Sequence, residues 1–162
     1  MERFSDNPAV KEYTNSIMEV VDAVNDIRDI AANRNEKMQR GESIDDEPLI
    51  VVVLNDAKAA EILEKHETAK NAFNELVTLY SKCKVSFIFA NVPNVALTPL
   101  SGKVYMMIRN SANLIFFEDM VNIKFISIPN SIVNQVKKKN GKGDAYYAKG
   151  NKLIKTKTME WK

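Results

Sequence analysis

Pro48-Leu49-Ile50-Val51-Val52-Val53-Leu54-Asn55-Asp56 is the stretch on which the fold turns. Its apolar run is continuous instead of alternating, and most of its residues are β-branched. That pattern predicts a strand buried on both faces, as in the centre of a parallel sheet covered by helices. Pro48 marks its start, and the polar pair Asn55-Asp56 marks its end.

Downstream, Ile62, Leu63, His66, Phe73, Leu76, Val77 and Tyr80 recur at helical spacing. They predict one amphipathic helix, capped by Asn55 or Asp56. Val85-Ser86-Phe87-Ile88-Phe89-Ala90 then reads as a second buried strand, adjacent or nearly adjacent to the first. Strand, helix, strand at this length is a right-handed βαβ crossover. Upstream, Asn7 and Pro8 have the chemistry of a helix start. The stripe Val10, Tyr13, Ile17, Val20, Val21, Val24, Ile27 and Ile30 continues from them as a long helix, followed by a surface loop over residues 33–47.

Beyond Asn91 the pattern loosens. Val104 to Arg109 fits a short helix or a strand, Leu114 to Phe117 a third buried strand, and Ile123 to Ile128 either state. Residues 144–148 and 153–158 flank Lys149-Gly150-Asn151-Lys152, which has the composition of a tight hairpin. The fold expected is therefore α/β, a mainly parallel sheet with helices on both faces and a C-terminal β-hairpin, in one domain over residues 1–162.

The formal net charge of +2 over 162 residues is too small to point to nucleic acid. It is unevenly placed: from Lys137 onward there are nine lysines against two acids, a local +7 that leaves −5 elsewhere. Lysines on an edge hairpin block edge pairing. With Tyr146 and Tyr147 beside them they could also touch phosphates and bases, but the segment has no arginine, and the solvated-edge reading is favoured. One cysteine, Cys83, excludes an intrachain disulfide and fits a reducing compartment. No apolar run approaches the ~18 residues of a membrane span.

Four spots carry possible chemistry. Ligands gather at the carboxyl ends of strands in open α/β sheets, and a P-loop ATPase places an acid there to hold magnesium. Here Asn55 occupies that place, with Asp56 after it, and an amide lacks the charge. The other reading, favoured on residue type alone, is that both residues simply cap the next helix. No Gly-x4-Gly-Lys-Ser/Thr loop is present; Ser101-Gly102-Lys103-Val104 and Gly141-Lys142-Gly143-Asp144 both depart from it. His66 falls on the apolar stripe and reads as packed. Cys83 lies between Lys82 and Lys84, which could lower its pKa, but it has no histidine partner in sequence reach.

The order of these elements resembles the second half of an FtsK/SpoIIIE-type ATPase module, a P-loop NTPase of the RecA/FtsK-like kind. The likeness is greatest to the C-terminal, degenerate modules of the type VII secretion EssC/EccC family. Residues 4–27 are similar to the long helix before the second nucleotide motif, and residues 48–56 to the acidic strand end. Residues 84–91 are similar to the strand whose polar tip, here Asn91, senses the γ-phosphate, and residues 141–155 to the glycine-flanked terminal hairpin. The resemblance implies a module lacking the phosphate loop, with no catalytic residue, metal or cofactor of its own. It implies recognition of secreted substrate proteins by a short C-terminal signal, and packing against other modules of the same motor. Homo-oligomerisation of the parent is a further implication. The chain would be cytoplasmic, its parent anchored in the cell membrane, with no nucleic acid bound. The alternative is a fragment of an FtsK-like DNA-translocating ATPase, an enzyme, which would require an acid where Asn55 stands.

Overall fold

A computed structural model describes residues 6–14, 16–93, 102–110, 113–123, 134, 139–149 and 152–158. The fold is mixed α/β. The chain divides into two compact units, Met1–Val92 and Pro93–Lys162.

In the first unit, helix α1 spans Ile17–Gln39, strand β1 Ile50–Leu54, helices α2 and α3 Ala59–Lys65 and Glu67–Thr78, and strand β2 Val85–Phe89. β1 and β2 pair in parallel from Ile50↔Val85 to Leu54↔Phe89, so the expected βαβ adjacency is present. The crossover is two helices, not one. His66 has extended φ/ψ of −96° and 107° and serves as C-cap of α2 and N-cap of α3, so it marks a break in the stripe and is only half-buried.

α1 differs from expectation at both ends. Asn7 makes a local turn, its Oδ1 accepting the Ala9 N–H at 2.9 Å and its carbonyl the Val10 N–H at 2.8 Å; helix begins only after Ser16. The helix takes in residues 33–39 of the stretch expected to be loop and is closed off at Gly41, leaving 40–47 as the loop. There the Gly41 N–H reaches the Met38 carbonyl and the Glu42 N–H the Lys37 carbonyl, both at 3.0 Å. That paired closure needs a left-handed residue, and Gly41 takes φ +79°.

Packing in this unit centres on Phe73. Its ring meets Phe87 edge-on at 5.0 Å and Phe89 at 5.5 Å between centroids. Each such pair adds ~0.5–1.5 kcal/mol beyond its area burial. Ala69, Ala72 and Leu76 complete the buried side of α3. The helix-facing positions of the sheet are thus Ile50, Val52, Leu54, Phe87 and Phe89. The opposite positions, Val51, Val53 and Ile88, are 47, 43 and 50% exposed. The expectation of strands buried on both faces is corrected: helix covers one face of β1–β2 and the other is open.

In the second unit, helix α4 spans Lys103–Arg109, strand β3 Leu114–Phe116, a 3-10 turn Met120–Asn122, and strands β4 and β5 Asp144–Lys149 and Lys152–Lys157. The sheet order is β3-β4-β5, all antiparallel. The expected hairpin is present, and residues 104–109 resolve to helix. Residues 114–116 pair antiparallel with β4, with Ile115 exposed, so they are not a third buried parallel strand. A mainly parallel sheet therefore describes β1 and β2 alone; among the described residues three strands are antiparallel. Met120, Ile123 and Tyr146 form one buried cluster here, with Phe116 and Leu153 packed against it. Residues 124–128, the second part of the ambiguous stretch, lie outside the described residues.

Candidate functional site

The carboxyl ends of β1 and β2 lie side by side because the strands are parallel and in register. The Ala90 N–H donates to the Leu54 carbonyl at 2.9 Å, extending the ladder past β2. The chain then turns at Asn91, which has φ +61°. Asparagine tolerates this left-handed conformation better than most residues. Asn91 Nδ2 donates to Asn55 Oδ1 at 2.9 Å, joining the two strand ends through a side-chain bridge.

Asp56 is turned to a different task. Its Oδ1 accepts the Lys58 N–H at 2.6 Å and its carbonyl the Ala59 N–H at 3.1 Å, an Asx turn leading into α2. The helix N-cap itself is Lys58, with no side-chain cap bond. Neither Asn55 nor Asp56 is therefore the N-cap; Asp56 shapes the turn before it. All three strand-end residues are exposed. Among the described residues no cluster of three or more His, Cys, Asp or Glu could hold a metal ion. The site can present amide donors and acceptors and one carboxylate already engaged with backbone.

The two glycine-lysine stretches have structural roles. Gly102, with φ +114°, precedes the short α4. The Gly141 N–H donates to Asp144 Oδ2 at 3.0 Å, which steers the chain into β4.

Sequence reasoning missed a polar clasp at the other end of the parallel pair. Arg34, 4% exposed on α1, donates from one guanidinium nitrogen to the Cys83 carbonyl at 3.0 Å. A second guanidinium nitrogen lies 3.7 Å from Glu47, which also holds Lys37 at 2.6 Å. Lys84 Nζ donates to the Asp45 and Glu47 carbonyls at 2.7 and 2.8 Å. The hydrogen bond from Lys37 holds the Glu47 carboxyl below its ordinary value, helped by the nearby Lys37, Arg34 and Lys84 charges. The only signal for this clasp was a Gly41 helix stop, which would have placed Arg34 inside α1.

Cys83 is not activated by its neighbours. It is buried, and burial pushes its thiol up, outweighing the lowering by Arg34; the flanking lysines do not activate it. Tyr146 is fully buried in the core, so its ring is unavailable for stacking on bases. Tyr147 donates its hydroxyl to Asn113 Oδ1 at 2.6 Å. Lys137, Lys138 and Lys162 lie outside the described residues.

A groove of about 240 Å³ between α1 and α3 is lined by Asn25, Arg28, Thr68, Asn71, Ala72 and Glu75. Arg28 and Glu75 face each other in it at 3.7 Å. No described helix is long and apolar enough to cross a membrane. No family model, curated protein or solved structure matches the chain.

Proposed function

We propose that the chain is a non-catalytic, ATPase-like module of a type VII protein secretion motor, recognising secreted substrates or neighbouring modules. The observation that carries the reading is the Asn55–Asn91 bridge. It joins the carboxyl ends of two adjacent parallel strands, where open α/β sheets bind ligands. By the resemblance, its members stand where active modules hold magnesium and sense the γ-phosphate. Both are neutral amides, and magnesium is usually held through one or two carboxylates together with substrate phosphates. One oxygen of the nearby Asp56 carboxylate accepts the Lys58 N–H in the turn into α2.

On this reading the chain turns over no nucleotide and takes no cofactor. It binds the C-terminal signal of a secreted protein through apolar anchors laid in a groove. Its parent is anchored in the cell membrane and packs this module against others. The test is to titrate the chain with such a signal peptide and with duplex DNA across a salt series, alongside a magnesium-ATP assay. The expected result is saturable peptide binding that survives salt, DNA binding that vanishes near physiological salt, and no magnesium-dependent hydrolysis. Salt-resistant submicromolar DNA binding would favour the translocase instead. Hydrolysis that disappeared in Asn55→Ala would overturn the non-catalytic assignment.

A further inference from the structure

Among the described residues β5 is the last strand of its sheet, and its outer edge has the chemistry of a peptide-binding strand. The Thr158 N–H donates to the Gly143 carbonyl at 2.7 Å, so Thr158 points its backbone at β4. In an antiparallel ladder that orientation alternates. Lys152, Ile154 and Thr156 therefore also point inward, and Leu153, Lys155 and Lys157 turn their N–H and C=O groups to the open side.

Lysines on an edge usually block it, but two of these lean away. Lys155 Nζ lies 2.8 Å from Asp144 Oδ2 and 5.8 Å from the Tyr146 ring centroid, and Lys157 Nζ lies 3.9 Å from Asp144 Oδ1. Asp144 and Tyr146 belong to β4, so these side chains are drawn back across the sheet. On the opposite face, Ile115, Tyr147 and Ile154 form one cross-strand row. Ile115 and Ile154, at its two ends, are 60 and 53% exposed.

We infer that β5 accepts an extended acidic segment of a partner protein as a fourth, antiparallel strand. The edge selects this occupant over others. A second copy pairing antiparallel through the same edge would bring two strands of three lysines each together with no acid of their own, and like charges held close across a ladder are destabilising. A lipid surface would leave the open backbone groups of residues 153, 155 and 157 unpaired. An added strand satisfies them, and its side chains are dictated in turn. An acid faces Lys152, apolar residues face Leu153 and Ile154, and acids face Lys155 and Lys157, whose two ammoniums share the single Asp144 carboxylate and so keep a net positive charge. Read antiparallel, that is Glu-Thr-Glu-Val-Val-Glu. The inference does not rest on the secretion reading, and its test leaves that reading untouched.

The test uses the full chain and a fluorescent peptide carrying Glu-Thr-Glu-Val-Val-Glu between Gly-Ser flanks, followed by anisotropy. Saturable binding is expected. It should fall by about tenfold in the Lys152→Gln/Lys157→Gln double variant, whose thermal melt should stay close to the parent's, as two lost exposed charge pairs imply. A peptide N-methylated at the residues bonding the edge keeps its charge and should lose binding altogether, whatever any variant does to folding. Equal binding of the N-methylated peptide, or of one with lysine in place of glutamate, overturns the inference. So does the absence of saturable binding.

Discussion

β1 and β2 run parallel, so the chain between them must leave the sheet and return, and α2 and α3 fill that crossover. β4 and β5 are antiparallel neighbours in sequence and need no such detour. The first pair is accordingly held from outside: α3 lays Phe73 on its inner face, and Arg34 of α1 clasps its base at Cys83. The second sheet is held from within its own strands and the adjoining turn, by Tyr146 against Met120 and Ile123. Both sheets nonetheless cover one face and expose apolar side chains on the other. The difference teaches that a parallel strand can look fully apolar in sequence and still have only one covered face. What sets the two sheets apart is the source of packing, and that predicts where each should break.

The largest effect is expected in the second sheet. Tyr146→Ala empties the centre of a small core and should cost about 3–5 kcal/mol. Urea denaturation and amide exchange across β4 would measure it. A loss below about 1 kcal/mol would mean that the hairpin does not depend on its own core. Next comes the clasp of the first sheet. Arg34→Ala strips the Cys83 carbonyl of a buried donor and leaves Glu47 with Lys37 and without its guanidinium. About 3 kcal/mol is expected, read as faster exchange of the β1 and β2 amides. Arg34→Met restores the packing of the stem but no donor, so it should fall between the two. If Arg34→Met matched the parent, the clasp would be packing alone.

How much of this was legible follows from what each signal measures. Adjacency of residues 50–54 and 85–89 was readable because two apolar runs separated by a helical pattern have few topologies open to them. The open outer face was not, because a run of valines is the same string whether one or two layers cover it. The break at His66 was hidden for a similar reason: the stripe on either side of it keeps helical spacing. The strand-end residues Asn55 and Asn91 were each legible as polar tips. Their bond was not, since a hydrogen bond across 36 residues depends on register and on the left-handed turn at Asn91. Arg34 was invisible because an arginine in a polar stretch gives no sign of being buried.

A smaller effect compares the acid of each sheet. Lys37 holds Glu47 down in the first, chiefly by its hydrogen bond. Lys155 does the same for Asp144 in the second, with the Gly141 N–H assisting. A carboxyl whose folded pKa is depressed adds stability that is fully present above its unfolded value, about 4. That contribution disappears as pH falls through the lower folded value. Both sheets should therefore weaken below about pH 4, with no corresponding effect of these two groups near neutrality. Carboxyl-carbon NMR titration checks both at once. Lys155→Met should return Asp144 toward the ordinary range and leave Glu47 where it was. Added salt should narrow both shifts, because these lysines are partly exposed.

The smallest expected effect tests whether the second core is purely apolar. The Tyr146 hydroxyl is buried without a hydrogen-bond partner among the described residues. A polar group in that position carries a desolvation cost that no bond repays. Removing it while keeping the ring should therefore cost nothing. Tyr146→Phe is expected to lie within about 0.5 kcal/mol of the parent or to be slightly stabilising, in contrast to Tyr146→Ala. The Lys155 ammonium complicates the comparison, since it stands 5.8 Å from the ring centroid and can interact with either aromatic face. Repeating the pair of measurements in Lys155→Met separates the two contributions. If Tyr146→Phe destabilised by 1 kcal/mol or more in both backgrounds (about one ordinary hydrogen bond), the hydroxyl would have a partner in the folded protein. The core of the second sheet would then be held by a polar contact as well, as the first sheet is by Arg34.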